Sequence, residues 1–290
     1  MHLSKENTVK AGAWAYRWKN TCVKLWLLQF AVTMASILAW NPLPGQDSSL
    51  MNLTMQEVLA HNDYQKSDPF QNAYAHRVGI MEADLMLHQD KILVAHDQTE
   101  ISRGLDLEQL YLIPLREKVK KYGRAYPEDG KSLAIMLDLK NESDKIVTWI
   151  IHEIIPKYPE LFGMNDSDPI IYLIISGDRP PQTSWMLLPR CIKIDGRLTD
   201  DIPVSSRERI HMVSASFTSV ISGHLHPDGR LNVEQRQALR KAIDMVHQQN
   251  LKIRLWGVPD VFPYWKLLHD IGVDILGCDN LDTLAIYLNR

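Results

Sequence analysis

Residues 80–97 read IMEADLMLHQDKILVAHD, a run in which apolar segments carry acidic side chains and end in histidine. Two apolar runs joined by a polar turn at Gln89-Asp90 predict a hairpin, with strands at Gly79–Leu87 and Lys91–Ala95. Acidic side chains within an apolar strand are costly to bury unless they are paired or bind a cation. We therefore expect this hairpin to carry part of a functional site.

On both sides of the hairpin, short apolar runs alternate with longer segments of helical periodicity, a pattern typical of βαβ units around a parallel sheet. The other predicted strands are Gln56–His61, Leu133–Leu139, Ile170–Ile175, Cys191–Ile194, His211–Ala215, Lys252–Trp256 and Val273–Leu276. The predicted helices are Asp106–Tyr122, Asp144–Lys157, Asn232–Gln249, Pro263–Ile271 and Leu281–Tyr287, with weaker candidates at Gln182–Leu188 and Thr199–Arg209.

Eight strand–helix pairs favour an α/β fold with one (β/α)₈ TIM barrel, for which about 250 residues is typical. A doubly wound open sheet is the alternative. It would need a glycine-rich turn after the first strand, where residues 60–65 read AHNDYQ.

The composition is that of an ordinary globular protein, with 45% hydrophobic and 23% charged residues among 290. It excludes disordered, collagen-like and coiled-coil proteins. The formal charge of −3 lacks the basic excess of nucleic-acid-binding domains, so no nucleic-acid partner is expected. Three cysteines are too few for a disulfide framework, and we expect Cys191 and Cys278 to be buried thiols.

Residues 1–45 are predicted to precede the folded domain, which we place at residues 46–290. Residues 25–40 read LWLLQFAVTMASILAW, five basic residues and one acidic residue precede them, and Pro42, Pro44 and Gly45 follow. This order is typical of a secretory signal, and sixteen apolar residues are fewer than the roughly 20 of a spanning helix. An uncleaved anchor and a buried core helix are the alternatives. We expect a secreted or cell-envelope protein, periplasmic if bacterial, or one anchored to the membrane.

Several predicted strands end in ionisable residues, at the end of a TIM barrel where active sites lie. Glu82 and Asp84 are two residues apart on one strand, so their side chains point to the same face. Asp138, at the end of the next barrel strand, could join them. Three converging carboxylates repel one another unless a cation lies among them, and such hard oxygen ligands suit Mg²⁺ or Ca²⁺. The sequence thus predicts one divalent cation, held by these three residues.

Two histidines, His61 and His96, end strands beside this predicted metal site. Imidazoles on either side of a metal-bound phosphate can act as base and acid in phosphodiester cleavage. The residues do not assign which histidine has which role. Basic side chains available for phosphate oxygens are Lys140, Arg103 and Arg254. A single histidine at a strand end is more often structural, but the ordered H…E-x-D…H series within residues 61–96 favours a catalytic site.

Other polar or aromatic strand ends receive a structural interpretation. Asp97, Asp144 and Asp279 are interpreted as helix N-caps. The segment Val261–Trp265, after the seventh barrel strand, is either a lid over the barrel mouth or the start of a packed helix.

The series AHND, MEADL and VAHD resembles the glycerophosphodiester phosphodiesterase and phosphatidylinositol-specific phospholipase C superfamily. Within it, the series is most similar to the branch of proteins like altered inheritance of mitochondria protein 6. The resemblance covers about residues 57–285 and includes LYLIPL at residues 110–115 and the Arg254-x-Trp256 strand. It implies a metal-dependent TIM barrel of the PLC-like phosphodiesterase type.

Residue by residue, the resemblance implies that His61 and His96 are catalytic and that Glu82, Asp84 and Asp138 bind the metal. Lys140 matches a basic residue that the family often has two positions after the third acidic ligand. With the basic residues named above, the residues predicted to contact substrate are Asn62, Lys140, Arg103, Arg254 and Trp256. Typical glycerophosphodiesterases have arginine where this sequence has asparagine after the first histidine. They also insert a small subdomain after the second histidine, which this sequence lacks. A glycerophosphodiester is therefore one substrate class among others.

The sequence as a whole predicts a phosphoric diester hydrolase that depends on a divalent metal. It would cleave a glycerophosphodiester or a phospholipid headgroup by histidine acid–base catalysis. The expected partner is a small-molecule or lipid phosphodiester, and we expect a monomer with membrane association through the N-terminal segment.

Two alternatives stay open. One is a non-catalytic carbohydrate- or lipid-binding barrel in which Trp256, Trp185 and Trp265 stack on sugars. The other is a glycoside hydrolase, which needs two carboxylates about 5–9.5 Å apart on opposite sides of a sugar. Glu82 and Asp84 share one strand face, so they suit one metal ion better than those two roles.

Overall fold

The computed structural model describes residues 53–163 and 168–289. The predicted leader at residues 1–45, its apolar segment and its boundary with the domain lie outside these ranges. Among the described residues, no helix has the length and apolar character needed to cross a membrane.

In the described ranges, eight parallel strands close into a barrel and a ninth strand pairs outside it. The strands are β1 (Val58–Ala60), β2 (Ile80–His88), β3 (Lys91–Val94), β4 (Leu133–Leu139), β5 (Ile171–Gly177), β6 (Ile192–Arg197), β7 (Ile210–Ser216), β8 (Ile253–Trp256) and β9 (Ile275–Cys278). The barrel closes because β1 pairs with both β2 and β9. β3 runs antiparallel to the end of β2, so the predicted hairpin forms. The predicted TIM barrel is confirmed, and the open doubly wound sheet is excluded.

Helical segments connect the strands and surround the barrel. The α-helices are α1 (Gln71–Ala75), α2 (Ile113–Tyr122), α3 (Ser143–Trp149), α4 (Pro159–Phe162), α5 (Phe217–Val220), α6 (Val233–His247), α7 (Phe262–Ile271) and α8 (Leu281–Leu288). A π-helical turn, Glu108–Leu112, leads into α2, and a second, Ile150–Ile154, continues α3. Short 3₁₀ turns lie at Met55–Glu57, Asp63–Gln65, Ile101–Arg103, Ile155–Lys157, Gln182–Leu187 and Val204–Arg209.

Some element ends follow local signals that the sequence carries. α6 begins after Asn232, whose side chain accepts a hydrogen bond from the backbone N–H of Gln235. The Gln235 side chain in turn accepts from the Asn232 N–H, which completes a capping box. The two weaker helix candidates form only 3₁₀ turns, each directly after a proline, Pro181 or Pro203.

Several predicted strand boundaries were wrong: β6 extends to Arg197 instead of ending at Ile194, β9 begins at Ile275 instead of Val273, and β1 begins at Val58 instead of Gln56. Gln56 was expected in the strand, but it lies in the 3₁₀ turn capped by Thr54. Its side chain accepts a hydrogen bond from the Ser132 N–H and donates one to the Arg77 carbonyl. These two long-range hydrogen bonds tie the start of β1 to its neighbours, which local alternation does not predict.

The inward-facing positions of the barrel change from apolar to polar along β2, β4 and β5. Towards the amino ends lies an apolar cluster that contains Leu59, Ile80, Ala134, Met136, Ile174, Met212 and Ile275. One inward step further, since side chains on one face recur every second residue, β2 presents Glu82 and then Asp84. The same step leads to Asp138 on β4 and Ser176 on β5. The barrel therefore has an apolar core below a polar mouth. Cys191 and Cys278 are buried free thiols, as expected.

The backbone of Gly79 lies close to the backbone of Gln56, and this contact can be tested by substitution. A Cβ on Gly79 would overlap the carbonyl oxygen of Gln56. We expect Gly79→Ala to lower the free energy of unfolding by about 1–3 kcal/mol, the usual cost of overpacking, measured by urea denaturation. Gly196→Ala is the control, because its Cβ would come no nearer than 3.3 Å to a side-chain atom of Val213. An unfolding free energy for Gly79→Ala equal to that of the wild type would contradict the close approach.

Candidate functional site

Three carboxylates meet at the polar mouth of the barrel, at the ends of β2 and β4. Glu82, Asp84 and Asp138 each present an oxygen atom, and these atoms lie within 4.8 Å of one another. The parallel register places Asp84 directly beside Asp138. Glu82 is 3% exposed and Asp84 is fully buried. Burial raises the pKa of Glu82, and the nearby charges of Arg254 and His61 offset only part of that rise.

Asp84 collects three hydrogen-bond donors on one oxygen and leaves the other without a partner. Its Oδ2 accepts from Tyr64 Oη at 3.0 Å and lies 2.7 Å from His96 Nδ1 and 2.8 Å from Lys140 Nζ. Its Oδ1 is buried and has no hydrogen-bond partner among the described residues. A buried carboxylate oxygen without a partner is costly, and a cation among the three carboxylates would satisfy it. The residues present therefore fit a hard divalent cation.

Lys140 links two of the carboxylates. Its Nζ lies 2.8 Å from Oδ2 of Asp84 and 2.8 Å from Oδ2 of Asp138. Burial disfavours the ammonium group, but the hydrogen bonds to Asp138 and Asp84 outweigh that cost and raise the pKa of Lys140. This side chain, predicted to contact phosphate, thus also offsets the repulsion between the two aspartates.

The position of Asp138 depends on a glycine at the end of β5. Gly177 has a positive φ of 70°, a region that side-chain-bearing residues seldom adopt. A Cβ at this position would overlap Asp138 Oδ1 and the carbonyl oxygen of Leu139. Gly177 therefore leaves the space that the Asp138 carboxylate occupies.

The two histidines are each held through Nδ1 by a carboxylate. His61 Nδ1 lies 3.1 Å from Asp279 Oδ1, and its Nε2 lies 3.9 Å from Glu82 Oε2. His96 Nδ1 lies 2.7 Å from Asp84 Oδ2. Engaging Nδ1 leaves Nε2 as the ring nitrogen available for proton transfer. The two side chains remain accessible, with 40% and 54% of their surface exposed.

Asp279 is a site residue that the sequence interpretation missed, because it was assigned as a helix N-cap. The N-cap of α8 is Asn280, whose side chain accepts from the Thr283 N–H. Asp279 pairs instead with His61 and with Lys66 Nζ, the latter at 2.9 Å. The hydrogen bond with Asp279 raises the pKa of His61, and the pKa of Asp279 falls to about 2. Asp279 directly follows the last barrel strand, which pairs with the first, and this position could have indicated a site residue.

The other two N-cap assignments were also wrong. Asp97 accepts hydrogen bonds from the backbone N–H and the hydroxyl of Thr99, in a turn rather than at a helix start. Asp144 lies inside the first turn of α3, where Glu142 occupies the cap position without a side-chain cap. Each aspartate follows a strand by a few residues, and only the backbone path decides which one precedes a helix.

The loop after β1 contributes backbone and side-chain donors to the carboxylates. Asn62 adopts a left-handed conformation with φ 47°, and its backbone N–H donates to Glu82 Oε2 at 3.1 Å. The Tyr64 hydroxyl donates to Asp84, as described above. Asn62, which was predicted to contact substrate, contacts the site through its main chain.

The remaining predicted substrate contacts lie at different depths. Arg254 is 5% exposed inside the barrel, where its charge acts on both Glu82 and Asp195, and its Nε has no hydrogen-bond partner among the described residues. Trp256 ends β8 and is 50% exposed. Arg103 lies on the rim, with Nη1 3.8 Å from a Glu100 carboxylate oxygen.

The aromatic side chains proposed for a lid or for sugar stacking are mostly buried. The side chains of Tyr264 and Trp265, both in α7, are buried. Residues 261–265 therefore form the start of a packed helix rather than a lid over the mouth. Trp185 is also buried, with 2% exposed. Of the three tryptophans considered for stacking, only Trp256 offers an open ring face.

The first part of this chain is similar to one described protein family. A family model described as an AIM6-like phosphodiesterase domain matches residues 48–158. The curated proteins similar to this chain include altered inheritance of mitochondria protein 6 homolog from Arthroderma benhamiae, 25% identical over 264 residues, which are 79% of this chain and 83% of the relative. Altered inheritance of mitochondria protein 6 from Saccharomyces cerevisiae is 25% identical over 275 residues, which are 77% of this chain and 68% of the relative. The predicted resemblance to this branch is confirmed.

The range matched by the family model carries most of the site. It contains His61, Glu82, Asp84, His96 and Asp138. Among solved structures, a glycerophosphodiester phosphodiesterase from Agrobacterium tumefaciens str. C58 matches with 12% identity and a TM-score of 0.45, covering 81% of this chain and 100% of that one.

The predicted secreted or cell-envelope location is contradicted by these relatives, whose names refer to the inheritance of mitochondria. The physical reason is that a basic, acid-poor leader before an apolar run does not specify one route, since mitochondrial targeting segments are also basic and poor in acids.

The space beside Gly177 gives a test of the carboxylate geometry. We expect Gly177→Ala to weaken the binding of Mg²⁺ or Ca²⁺ by about 10–100-fold, the usual cost of disturbing a residue that orients a ligand, measured by titration calorimetry. Gly130→Ala is the matched control, since Gly130 also has a positive φ, of 74°, but a Cβ there would meet nothing within 4 Å. Unchanged metal affinity in a folded Gly177→Ala variant would contradict this role.

Proposed function

We propose that this chain, with its AIM6-like phosphodiesterase domain, is a phosphodiesterase that depends on a divalent metal and uses histidine acid–base catalysis. The observation that carries the proposal is the placement of His61 and His96 around one carboxylate cluster at the barrel mouth. Each imidazole is fixed through Nδ1 and exposes part of its ring. A buried cluster of acids with two oriented, accessible histidines suits proton transfer to and from a bound phosphodiester.

Glu82, Asp84 and Asp138 would hold the cation. When bound, Mg²⁺ or Ca²⁺ would supply electrophilic stabilisation of the charge that develops on the phosphate during cleavage. Lys140 and Arg254 add positive charge near the same carboxylates, so they are the side chains best placed to accompany an anionic substrate. Lys140 also keeps Asp84 and Asp138 at a fixed separation.

The histidines would move the protons. One imidazole accepts the proton of the attacking hydroxyl or water at Nε2, and the other donates a proton to the oxygen that leaves phosphorus. Asp279 stabilises the charged form of His61, since it lies at Nδ1 and raises the pKa of that imidazole. Asp84 lies at Nδ1 of His96 and orients its ring. If the substrate has a neighbouring free hydroxyl, that hydroxyl attacks and gives a cyclic phosphate; otherwise water attacks.

The substrate class we propose is a small-molecule or lipid phosphodiester. Residues 1–45 hold five basic residues and one acidic residue, so residues 46–290 have a formal charge of −7. This charge gives the domain no general attraction to anionic membranes. Recognition of a lipid would therefore depend on apolar side chains near the mouth, where Trp256, Val261 and Phe262 are each 43–50% exposed.

The two alternative functions have less support. A carbohydrate-binding barrel would use tryptophan rings for stacking, and Trp185 and Trp265 are buried. A glycoside hydrolase would use two separated carboxylates, whereas Lys140 bridges Asp84 and Asp138 within one cluster. Neither alternative gives a role to both oriented histidines.

Removal of the metal tests the cation requirement. We expect the 290-residue chain to hydrolyse bis(p-nitrophenyl) phosphate with Mg²⁺ or Ca²⁺, to lose that activity in EDTA, and to regain it when excess metal is added. Asp84→Asn should bind metal more weakly, because it replaces one charged ligand with a neutral one. Full activity in the chelator would exclude the proposed metal dependence.

Substitution of the histidines tests the acid–base roles. We expect His61→Ala and His96→Ala each to lower kcat by about 10²–10⁴-fold, the usual acid–base contribution, measured on the same diester. His76→Ala is the matched control, because His76 also pairs with a carboxylate, Asp282, at 2.7 Å but outside the cluster. A kcat for His61→Ala within about threefold of the wild type would remove this mechanism, since acid–base losses are far larger.

A further inference from the structure

A buried pair, Asp63 and Tyr111, lies beside the carboxylate cluster without a role in the proposed chemistry. The Tyr111 hydroxyl donates to Asp63 Oδ2 at 2.9 Å, and the backbone N–H of Phe70 donates to the same oxygen at 2.7 Å. The Tyr111 hydroxyl also lies 3.4 Å from the carbonyl oxygen of Glu82. Asp63 is 1% exposed and Tyr111 is fully buried. One hydroxyl group therefore joins the loop after β1 to the strand that carries two of the carboxylates.

The residues on either side of Asp63 are those that contact the site. His61 precedes it by two positions, the Asn62 N–H donates to Glu82, and the Tyr64 hydroxyl donates to Asp84. A shift of Asp63 would therefore move a proposed catalytic imidazole and two donors to the carboxylates together. Within residues 61–65, Asp63 is the one residue that accepts a hydrogen bond from a fully buried side chain outside the carboxylate cluster, among the residues that the structure describes.

The backbone around Asp63 adopts conformations that need support. Asn62 has φ 47° and Phe70 has φ 67°, both in the left-handed region that residues with side chains rarely occupy. Such conformations persist only where the surrounding structure holds them, and they cluster at functional sites. The Asp63 carboxylate holds the second of these positions directly, through the Phe70 N–H.

Tyr111 lies in the π-helical turn Glu108–Leu112, which leads into α2. A π-helical turn inserts one extra residue and so changes the direction of the side chains that follow, and such turns are frequent at functional sites. This turn also overlaps the LYLIPL segment at residues 110–115, for which the resemblance offered no chemical role.

We propose that Asp63 and Tyr111 are positioning residues, which fix the loop 61–65 against β2 so that His61 stays aligned with the carboxylate cluster. The kinetic consequence of this inference rests on the proposed function, but its structural consequence does not. The Tyr111 hydroxyl acts through Asp63 and contacts neither substrate nor metal.

Tyr126 provides the matched control. It is also fully buried, and its hydroxyl donates to the carbonyl oxygen of Val78 at 2.7 Å. Tyr126→Phe therefore removes a buried tyrosine hydrogen bond of the same kind as Tyr111→Phe, without touching the loop 61–65. If Tyr111 contributed to global stability alone, Tyr111→Phe and Tyr126→Phe would have the same effect on the loop 61–65.

Hydrogen exchange of the 290-residue chain tests the structural part without any need for turnover. In Tyr111→Phe we expect the amides of residues 61–66 to exchange about tenfold faster or more, because local opening becomes easier. Tyr126→Phe should leave that segment at the wild-type rate. Exchange in residues 61–66 that is unchanged in Tyr111→Phe, or equally raised in both variants, would overturn the proposal.

Kinetics on bis(p-nitrophenyl) phosphate test the link to chemistry. We expect Tyr111→Phe to lower kcat by on the order of 10–10²-fold with little change in KM, since small misplacements of reacting groups cost rate more than binding. Asp63→Asn, which keeps an acceptor oxygen, should retain more activity than Asp63→Ala. Faster exchange with wild-type kcat would refute the catalytic consequence. If the wild-type chain does not turn over the diester, the proposed function is refuted. The hydrogen-exchange comparison of the two tyrosine variants would still decide whether Asp63 and Tyr111 position the loop.

Discussion

The electrostatic repulsion among Glu82, Asp84 and Asp138 is the constraint on which the rest of the site depends. Three carboxylates whose oxygens approach within 4.8 Å, two of them buried, stay together only if positive charge and hydrogen-bond donors surround them. Lys140 supplies a charge, and the donors come from the loop after β1 and from His96. Asp84 Oδ1 is buried and has no donor among the described residues, and a cation at that oxygen would complete the arrangement.

The barrel brings these groups together through its regular geometry. Inward positions recur every second residue along each strand, and the parallel register sets neighbouring strands level. The apolar inward layer at the amino ends provides the packed base, and the polar layer above it forms the mouth. Closure of β9 against β1 then places Asp279 beside His61, although the two residues are 218 positions apart in the chain.

The family match and the proposed catalytic groups fall in the same part of the chain. The match to an AIM6-like phosphodiesterase domain covers residues 48–158 and therefore the first half of the barrel, which holds both histidines and all three carboxylates. The second half supplies Asp279, Arg254 and Trp256, which shape the mouth. The curated relatives from Arthroderma benhamiae and Saccharomyces cerevisiae are each 25% identical to this chain over the aligned residues.

The sequence by itself determined the barrel, the shared face of Glu82 and Asp84, and the candidate histidines. These follow from alternation and spacing, which depend on near neighbours and are therefore visible in a linear chain. Only the tertiary structure decided that Asp279 holds His61 rather than capping a helix and that Tyr111 anchors Asp63. Both contacts join distant segments, and their geometry is set by barrel closure and by the backbone path of each loop, which local periodicity does not encode.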